Sequence, residues 1–571
     1  MGNTRNLIIS GGQIVDGTGA APIRADLRIQ GNQIKEIGNS LDTTDSTMIN
    51  ANGCFVCPGI IESHTHFDGS MWWQPGLDPL PGCGVTTMIM GNCGFSLAPL
   101  SDDAATREEV VKIFSFFEDF PEAPFFSELP WNWKTWSEYS DSMNQGTSVP
   151  LNYGAFVGHI ALRLAVMGVE AWERSATSSE IDQIVILLED ALKSGALGVS
   201  TNLLDHDGED RPIPSLMADD KEFLAIFECV SRFPGTTVQV VIDSIMRMTA
   251  VPAMERIARL TDGLNVRVQW AGIPTLEWQK TYGLQQPLVE LHERFVEEGR
   301  DFWTGYAHVP IVVTASIQQS LLFAQSNEYV WHEVVTAETD EEKRSLLNDS
   351  DWRARARYSW ENDSLETSFF REPSGMMLDN SENDSDSIIS LGNYAMNLGL
   401  HPSDALAEWF LKNGLSSTVS MPPWDQDDDM VIRLTRDGNA VGNINDSGAH
   451  GQMFCGSGDS IRLLTDYVCT GKLKIEEAIH SQTGKLADHF GFSDRGEIKE
   501  GKRADITVFA LDEVEHRAKY KVYDVPDDKG GFTWRWTRDP APVRLTLCNG
   551  VPTFDKDGVT GAMPGEMVSP G

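Results

Sequence analysis

The chain has 571 residues, 41% of them hydrophobic and 23% charged, a balance that builds a core and excludes a disordered polymer. Its 84 acidic residues outnumber 45 basic ones, giving a formal net charge of −39; such a surface repels nucleic acid and anionic membranes and excludes both as partners. The length suits one large barrel with an appended module, or several domains.

The N-terminus, Met1 to Ile9, has no apolar core of a signal peptide and no cleavage pattern, so a cytoplasmic protein is expected. No apolar run approaches the roughly 20 residues of a membrane span. Eight scattered cysteines do not form a disulfide framework in a chain of this size. Cys54-Phe55-Val56-Cys57 has redox-motif spacing, but its apolar setting favours two buried strand cysteines. A homo-oligomer is compatible with the chain.

The first segment consists of short strands, Leu7–Ile9, Gln13–Val15, Asp26–Ile29 and Gln33–Ile37, separated by Gly11-Gly12, Gly17-Thr18-Gly19 and Gly31-Asn32. The same texture returns near the other end, at Ala504–Phe509 and Val543–Cys548, where Asn549-Gly550 signals a hairpin turn. Residues 1–57 and 486–571 therefore read as two parts of one small β-sandwich module.

The intervening 58–485 alternates strands with helices. Expected strands are Thr86–Met90, Asn152–Val157, Ala196–Ser200, Thr237–Ile242, Asn265–Trp270, Ile311–Thr314, Thr418–Met421 and Ala440–Ile444. A helix is expected over Ser178–Lys193, with an apolar stripe of Ile181, Ile184, Val185, Leu188 and Leu192 and a stop at Ser194-Gly195. Strand and helix in alternation define an α/β protein, read here as a (β/α)₈ TIM-type barrel with insertions. With the strand before His64 the count exceeds eight, so one assignment is not a barrel strand. The stretch Ile113–Tyr139, crowded with Phe, Pro and Trp, is expected as a lid or a covering layer. The acidic runs at 379–386 and 425–429 are expected as solvated turns.

Chemistry is expected at the C-terminal ends of the parallel strands. Phe55–Ile61 runs into Glu62-Ser63-His64-Thr65-His66. Alternation along an extended backbone puts both imidazoles on one face, which makes half of a site for Zn²⁺ or a similar ion. Cys93 lies between glycines in Gly91-Asn92-Cys93-Gly94, directly after a strand, where its thiolate could reach a metal. Asp446 follows a late strand in Gly442-Asn443-Ile444-Asn445-Asp446-Ser447-Gly448-Ala449-His450.

Together with Gly158-His159, Gly195-Ala196-Leu197-Gly198 and Gly496-Glu497-Ile498 to Asp505, these motifs resemble the amidohydrolase superfamily, within it the D-aminoacylase (N-acyl-D-amino-acid deacylase) group, over nearly the whole chain. The resemblance implies that His64 and His66 ligate a divalent metal, zinc above all. It places Cys93 at the group's cysteine ligand and makes Asp446 both a metal contact and the proton shuttle for hydrolysis of a small amide. It also makes His159 an active-site residue, as substrate contact or oxyanion polariser. His206 and Arg163 are the candidate substrate contacts, and His450 would steady the Asp446 loop. The group also carries metal-binding histidines at the ends of strands five and six; here those ends are Gln239–Ser244 and Val268–Gly272, without histidine, so one metal is expected. An N-acyl-D-amino acid leads the substrate classes. A cyclic imide, ureide or lactam follows it, and a lactonase or esterase and a non-catalytic binding barrel remain as rivals.

Overall fold

The computed structural model describes residues 6–209, 211–243, 249–310, 312–318, 330–362, 373–379, 388–421 and 424–571. Its centre is a set of eight parallel strands: β1 (Ile60–Glu62), β2 (Val85–Met90), β3 (Asn152–Ala155, resuming as Val157–Gly158), β4 (Gly198–Asn202), β5 (Thr237–Val241), β6 (Arg267–Trp270), β7 (Phe302–Gly305) and β8 (Ala440–Val441). Strands β1, β2 and the first half of β3 form one sheet, and the second half of β3 continues through β4 to β8 in another. At the break, the Phe156 N–H donates to Met90 O at 3.0 Å. The last and first strands meet through side chains and a loop. Asn443 Nδ2 donates to Ile61 O at 2.8 Å and Ser63 Oγ to Gly442 O at 2.6 Å. A parallel bridge also joins Thr65 to Ser447. Every residue of β2, β4 and β7 is buried, as parallel strands covered on both faces require.

Helices pack outside these strands. Those that matter below are α1 (Ala104–Glu118), α2 (His159–Met167), α3 (Ser178–Lys193) and α4 (Asp220–Val230). In α3 the apolar stripe faces inward, and Thr177 caps the first turn in a reciprocal pair with Glu180, a cap worth about 1 kcal/mol.

Two expected strands belong elsewhere. Thr314–Ala315 and Thr418–Ser420 join Met377–Asp379 and Ile389–Ser390 in a separate antiparallel sheet; residue 311 lies outside the described residues. The parallel strand β7 takes the vacant place. Short apolar runs of four or five residues carry no period long enough to separate the two roles. The stretch 113–139 is a covering layer: Trp133, Trp136 and Tyr139 are buried, and Trp133 Nε1 donates to Leu97 O at 2.7 Å. In the acidic run at 425–429, Asp427 caps a helix and pairs with Lys280 at 3.0 Å; the run at 380–386 lies outside the described residues.

The two ends of the chain share two further sheets. Phe55–Pro58 is flanked by Gln13–Ile14 on one side and Ile506–Phe509 on the other, in a seven-stranded sheet that also holds Leu545–Cys548 and Val551–Asp555. A four-stranded sheet built from residues 6–50 lies against it. Ile9, Leu27, Ile29, Ile34, Val56, Ile506, Val508 and Leu547 form their common core, each burial contributing about 1.5–3 kcal/mol. A hairpin, Lys519–Pro526 with Phe532–Arg538, reaches from this end onto the loop after β8. The Trp536 N–H donates to Gly451 O at 2.8 Å, and Gln452 Nε2 donates to Trp534 O at 2.8 Å. Among the described residues no helix is long and apolar enough to cross a membrane.

Candidate metal centre

Strand β1 delivers its two histidines through a short, tightly held turn. The Thr65 N–H and its Oγ both donate to Ile89 O, at 2.9 and 2.7 Å, and the His66 N–H donates to Ser447 O at 2.9 Å. Held between the end of β2 and the loop after β8, His64 and His66 are both buried, with their Nε2 atoms 3.3 Å apart. Cys93 Sγ stands 3.2 Å from His64 Nε2 and 3.7 Å from His66 Nε2. Asp446 Oδ1 stands 3.5 and 3.2 Å from the same two nitrogens. The four donors come from the ends of three strands.

Donors about 2.0–2.3 Å from one zinc ion are separated by roughly 3.3–3.8 Å along the edges of a tetrahedron. The spacings among His64, His66 and Cys93, 3.2 to 3.7 Å, are close to that figure, and two imidazoles with a thiolate are zinc chemistry; Asp446 Oδ1 reaches the two imidazoles but stands outside that group of three. Burial holds His64 down to about 4, so its ring is neutral and its lone pair available. Burial also pushes the Cys93 thiol up to about 12; a cation at the centre would reverse that by stabilising the thiolate. Burial works against the Asp446 carboxylate too, but His66 and His64 outweigh it and hold the group below the usual range.

The backbone is strained where it presents these groups. Cys93, Asn443, Asp446 and His450 all take left-handed conformations, with φ of 58°, 62°, 56° and 49°, each costing of order 1–3 kcal/mol in a residue with a Cβ. Hydrogen bonds hold them there. Gln239 Oε1 accepts from the Cys93 N–H and Asn202 Nδ2 donates to Cys93 O, both at 3.2 Å. Asn443 Oδ1 accepts from Asn445 and Gln482, both at 3.1 Å. Gly91 could not be replaced, since a Cβ there would lie 2.2 Å from Phe156 O. His450 places Nε2 3.6 Å from Asp446 Oδ2, beside the carboxylate's second oxygen.

Strands β5 and β6 carry no histidine, and their buried amides serve other partners. Gln239 supports Cys93, and Gln269 Oε1 lies 2.8 Å from His489 Nε2. Trp270 is fully buried. Among the described residues, His64, His66 and Cys93 are the one group of three or more such donors within reach of a single ion.

Two expected site residues are elsewhere. His159 is fully buried, with Nδ1 2.9 Å from Thr201 Oγ1 and Nε2 2.8 Å from Glu222 Oε1 on α4. Arg163, equally buried, donates to the other oxygen of Glu222 and to the carbonyls of Ala171 and Arg174. Both ring nitrogens of His159 are engaged, and Arg163 is left with its Nε alone unpartnered among the described residues. The two side chains join α2 to α4 and lie outside the group of donors. His206 is half-buried on the loop after β4, its ring 6.3 Å from that of Phe116 in α1, outside the group of donors.

One site residue was not anticipated. Glu118, the last residue of α1, is buried with Oε1 3.0 Å from His66 Nδ1. Burial pushes its carboxyl up to about 8, against the pull of His66 and a main-chain hydrogen bond from His450. Its one sequence signal is the pair Glu118-Asp119 inside the aromatic run Phe116 to Phe120, since acids are rarely buried without partners.

The amidohydrolase family matches residues 47–320 and 416–554; the chain belongs to that family. It is 25% identical to D-aminoacylase of Alcaligenes xylosoxydans xylosoxydans over 99% of this chain and 97% of that one. Its fold is shared with crystallised D-aminoacylase at a TM-score of 0.62 and 22% identity, covering 98% of this chain and 99% of the other. The N-acyl-D-glutamate deacylase of Bordetella bronchiseptica, complexed with zinc and a phosphonate that mimics the tetrahedral intermediate, matches at 0.62 with 20% identity, covering 99% and 100%.

Proposed function

We propose that the protein hydrolyses the amide bond of small N-acyl amino acids of D-configuration, with one zinc ion held by His64, His66 and Cys93 and with Asp446 beside it, at the position left open for water. The observation that carries this reading is the convergence of His64, His66 and Cys93 at 3.2–3.7 Å, with Asp446 Oδ1 3.2 and 3.5 Å from the two imidazoles. The full-length similarity to D-aminoacylase supports the substrate class. In this reading the eight parallel strands close as a (β/α)₈ barrel spanning 58–485, and 1–57 with 486–571 make the β-sandwich module.

When bound, zinc polarises the amide carbonyl and lowers the pKa of water towards about 7. The residues of this chain manage the proton. Asp446 accepts it from the attacking water and returns it to the amide nitrogen, so that the C–N bond breaks to a carboxylic acid and an amine, the acid then losing its remaining proton to the amine or to solvent. His450, 3.6 Å from Asp446 Oδ2, keeps that oxygen oriented. The left-handed turn at Asp446 aims the carboxylate at the histidines before any substrate arrives, which lowers the reorganisation needed in the reaction.

Elemental analysis of purified protein, combined with hydrolysis of N-acetyl-D- and N-acetyl-L-amino acids and of matching esters, tests the reading. About one zinc per chain and turnover of the D-amides are expected. Hydrolysis confined to esters, or a protein that stays metal-free in added zinc, would overturn it.

A further inference from the structure

Glu118 stands outside the donor set yet touches it. It ends α1, 28 residues after β2 closes at Met90, and comes to the metal centre from the covering layer, not from a strand end. Its Oε1 is 3.0 Å from His66 Nδ1, with both side chains 3% exposed. This contact is an ion-pair approach and not a formed hydrogen bond, since His66 Nδ1 and Glu118 Oε2 both lack a hydrogen-bond partner among the described residues. The other ring nitrogen, Nε2, faces His64, Cys93 and Asp446. An imidazole ligates through a nitrogen that carries no proton, and the opposite nitrogen must then hold it.

We infer that Glu118 is a positioning residue for the metal centre: its side chain stands 3.0 Å behind His66 Nδ1 and is placed to take the hydrogen bond of that nitrogen when the ring ligates through Nε2. The inference rests on the proposed zinc site. The same residue also ties that ligand to the loop bearing Asp446, because the Gly451 N–H donates to Glu118 O at 2.8 Å. Side chain and main chain of one residue thus hold ligands from β1 and from the loop after β8 in register. A carboxylate behind a ligating histidine raises the ring's basicity and fixes its orientation, and its loss typically costs 10–100-fold in metal affinity.

The test uses the full-length, zinc-loaded protein. ¹⁵N-histidine NMR of the unsubstituted holoenzyme should show His66 protonated at Nδ1. A proton on neither nitrogen, or on Nε2, would overturn the inference without any substitution. Chelator competition should show zinc bound about 10–100-fold more weakly by Glu118→Leu than by the parent, with Glu118→Gln, which keeps an acceptor but not the charge, falling between. Cobalt-loaded Glu118→Leu should show altered visible bands, because His66 is then free to turn. Parent-like affinity and spectra in both variants would overturn the inference. A parent that binds no zinc at all would sink the proposed site itself, a distinguishable failure.

Discussion

Two buried histidine–carboxylate clusters sit on this scaffold, one around His66 and one around His159. Around His159 every polar atom of the ring is spoken for: Thr201 on one side, and on the other Glu222, itself paired with Arg163. The backbone there is an ordinary strand entering a helix. Around His66 the nitrogens of the two imidazoles, the Cys93 sulfur and an Asp446 oxygen crowd together at 3.2–3.7 Å. Two of the contributing residues, Cys93 and Asp446, hold left-handed backbone conformations. A closed network of complementary partners is a structural joint. Ligand atoms gathered from three strand ends on strained backbone make a place that a cation can fill.

The contrast can be broken in graded steps. The largest effect is expected for the double substitution His64→Ala with His66→Ala. It should abolish zinc binding by elemental analysis and reduce amide hydrolysis to background, and chelation of the parent should do the same reversibly. Next, Asp446→Asn should lower kcat by about 10²–10⁴-fold, the usual worth of a general acid–base group, while zinc remains bound; near-parental turnover would remove the proton shuttle from Asp446. The joint responds oppositely. Glu222→Ala should destabilise the fold by about 3–5 kcal/mol in urea titration, as for other broken buried pairs, with zinc stoichiometry unchanged. A loss of zinc without a loss of stability would erase the distinction between the clusters. The smallest effect is expected at Gln239→Met, which removes the acceptor of the Cys93 N–H. One hydrogen bond of about 1 kcal/mol corresponds to roughly fivefold weaker zinc binding in chelator competition.

Much of the candidate metal centre is legible because its donors follow strands, and strand ends announce themselves by an apolar run that stops. His64, His66, Cys93 and Asp446 are all of this kind. His159 gave the same signal for a different reason. Its partner Glu222 lies 63 positions later, in the first turn of a helix, where an acid also reads as an ordinary first-turn charge. Nothing local links the two. Glu118 failed in the converse way: its function comes from a tertiary contact 52 positions from His66, and periodicity marks only the helix that carries it. Among the strands, Phe302–Gly305 carries no local mark that separates it from Thr314–Ala315 and Thr418–Ser420. Runs of two to four residues specify extended backbone but not which sheet they join. The two terminal sheets fell out readily, because alternation with glycine turns is a local property.

The strand Phe55–Pro58 continues through Gly59 into β1, and its antiparallel neighbour is Ile506–Phe509, paired residue by residue about 450 positions later. Translation at about 5–20 residues per second separates the two by roughly 20–90 s. Through that interval the segment bearing both imidazoles has no partner on one flank, and Asp446 has yet to be made for most of it. Assembly of the ion-binding cage is thereby deferred to the closing stage of synthesis, when the chain's two distant ends meet.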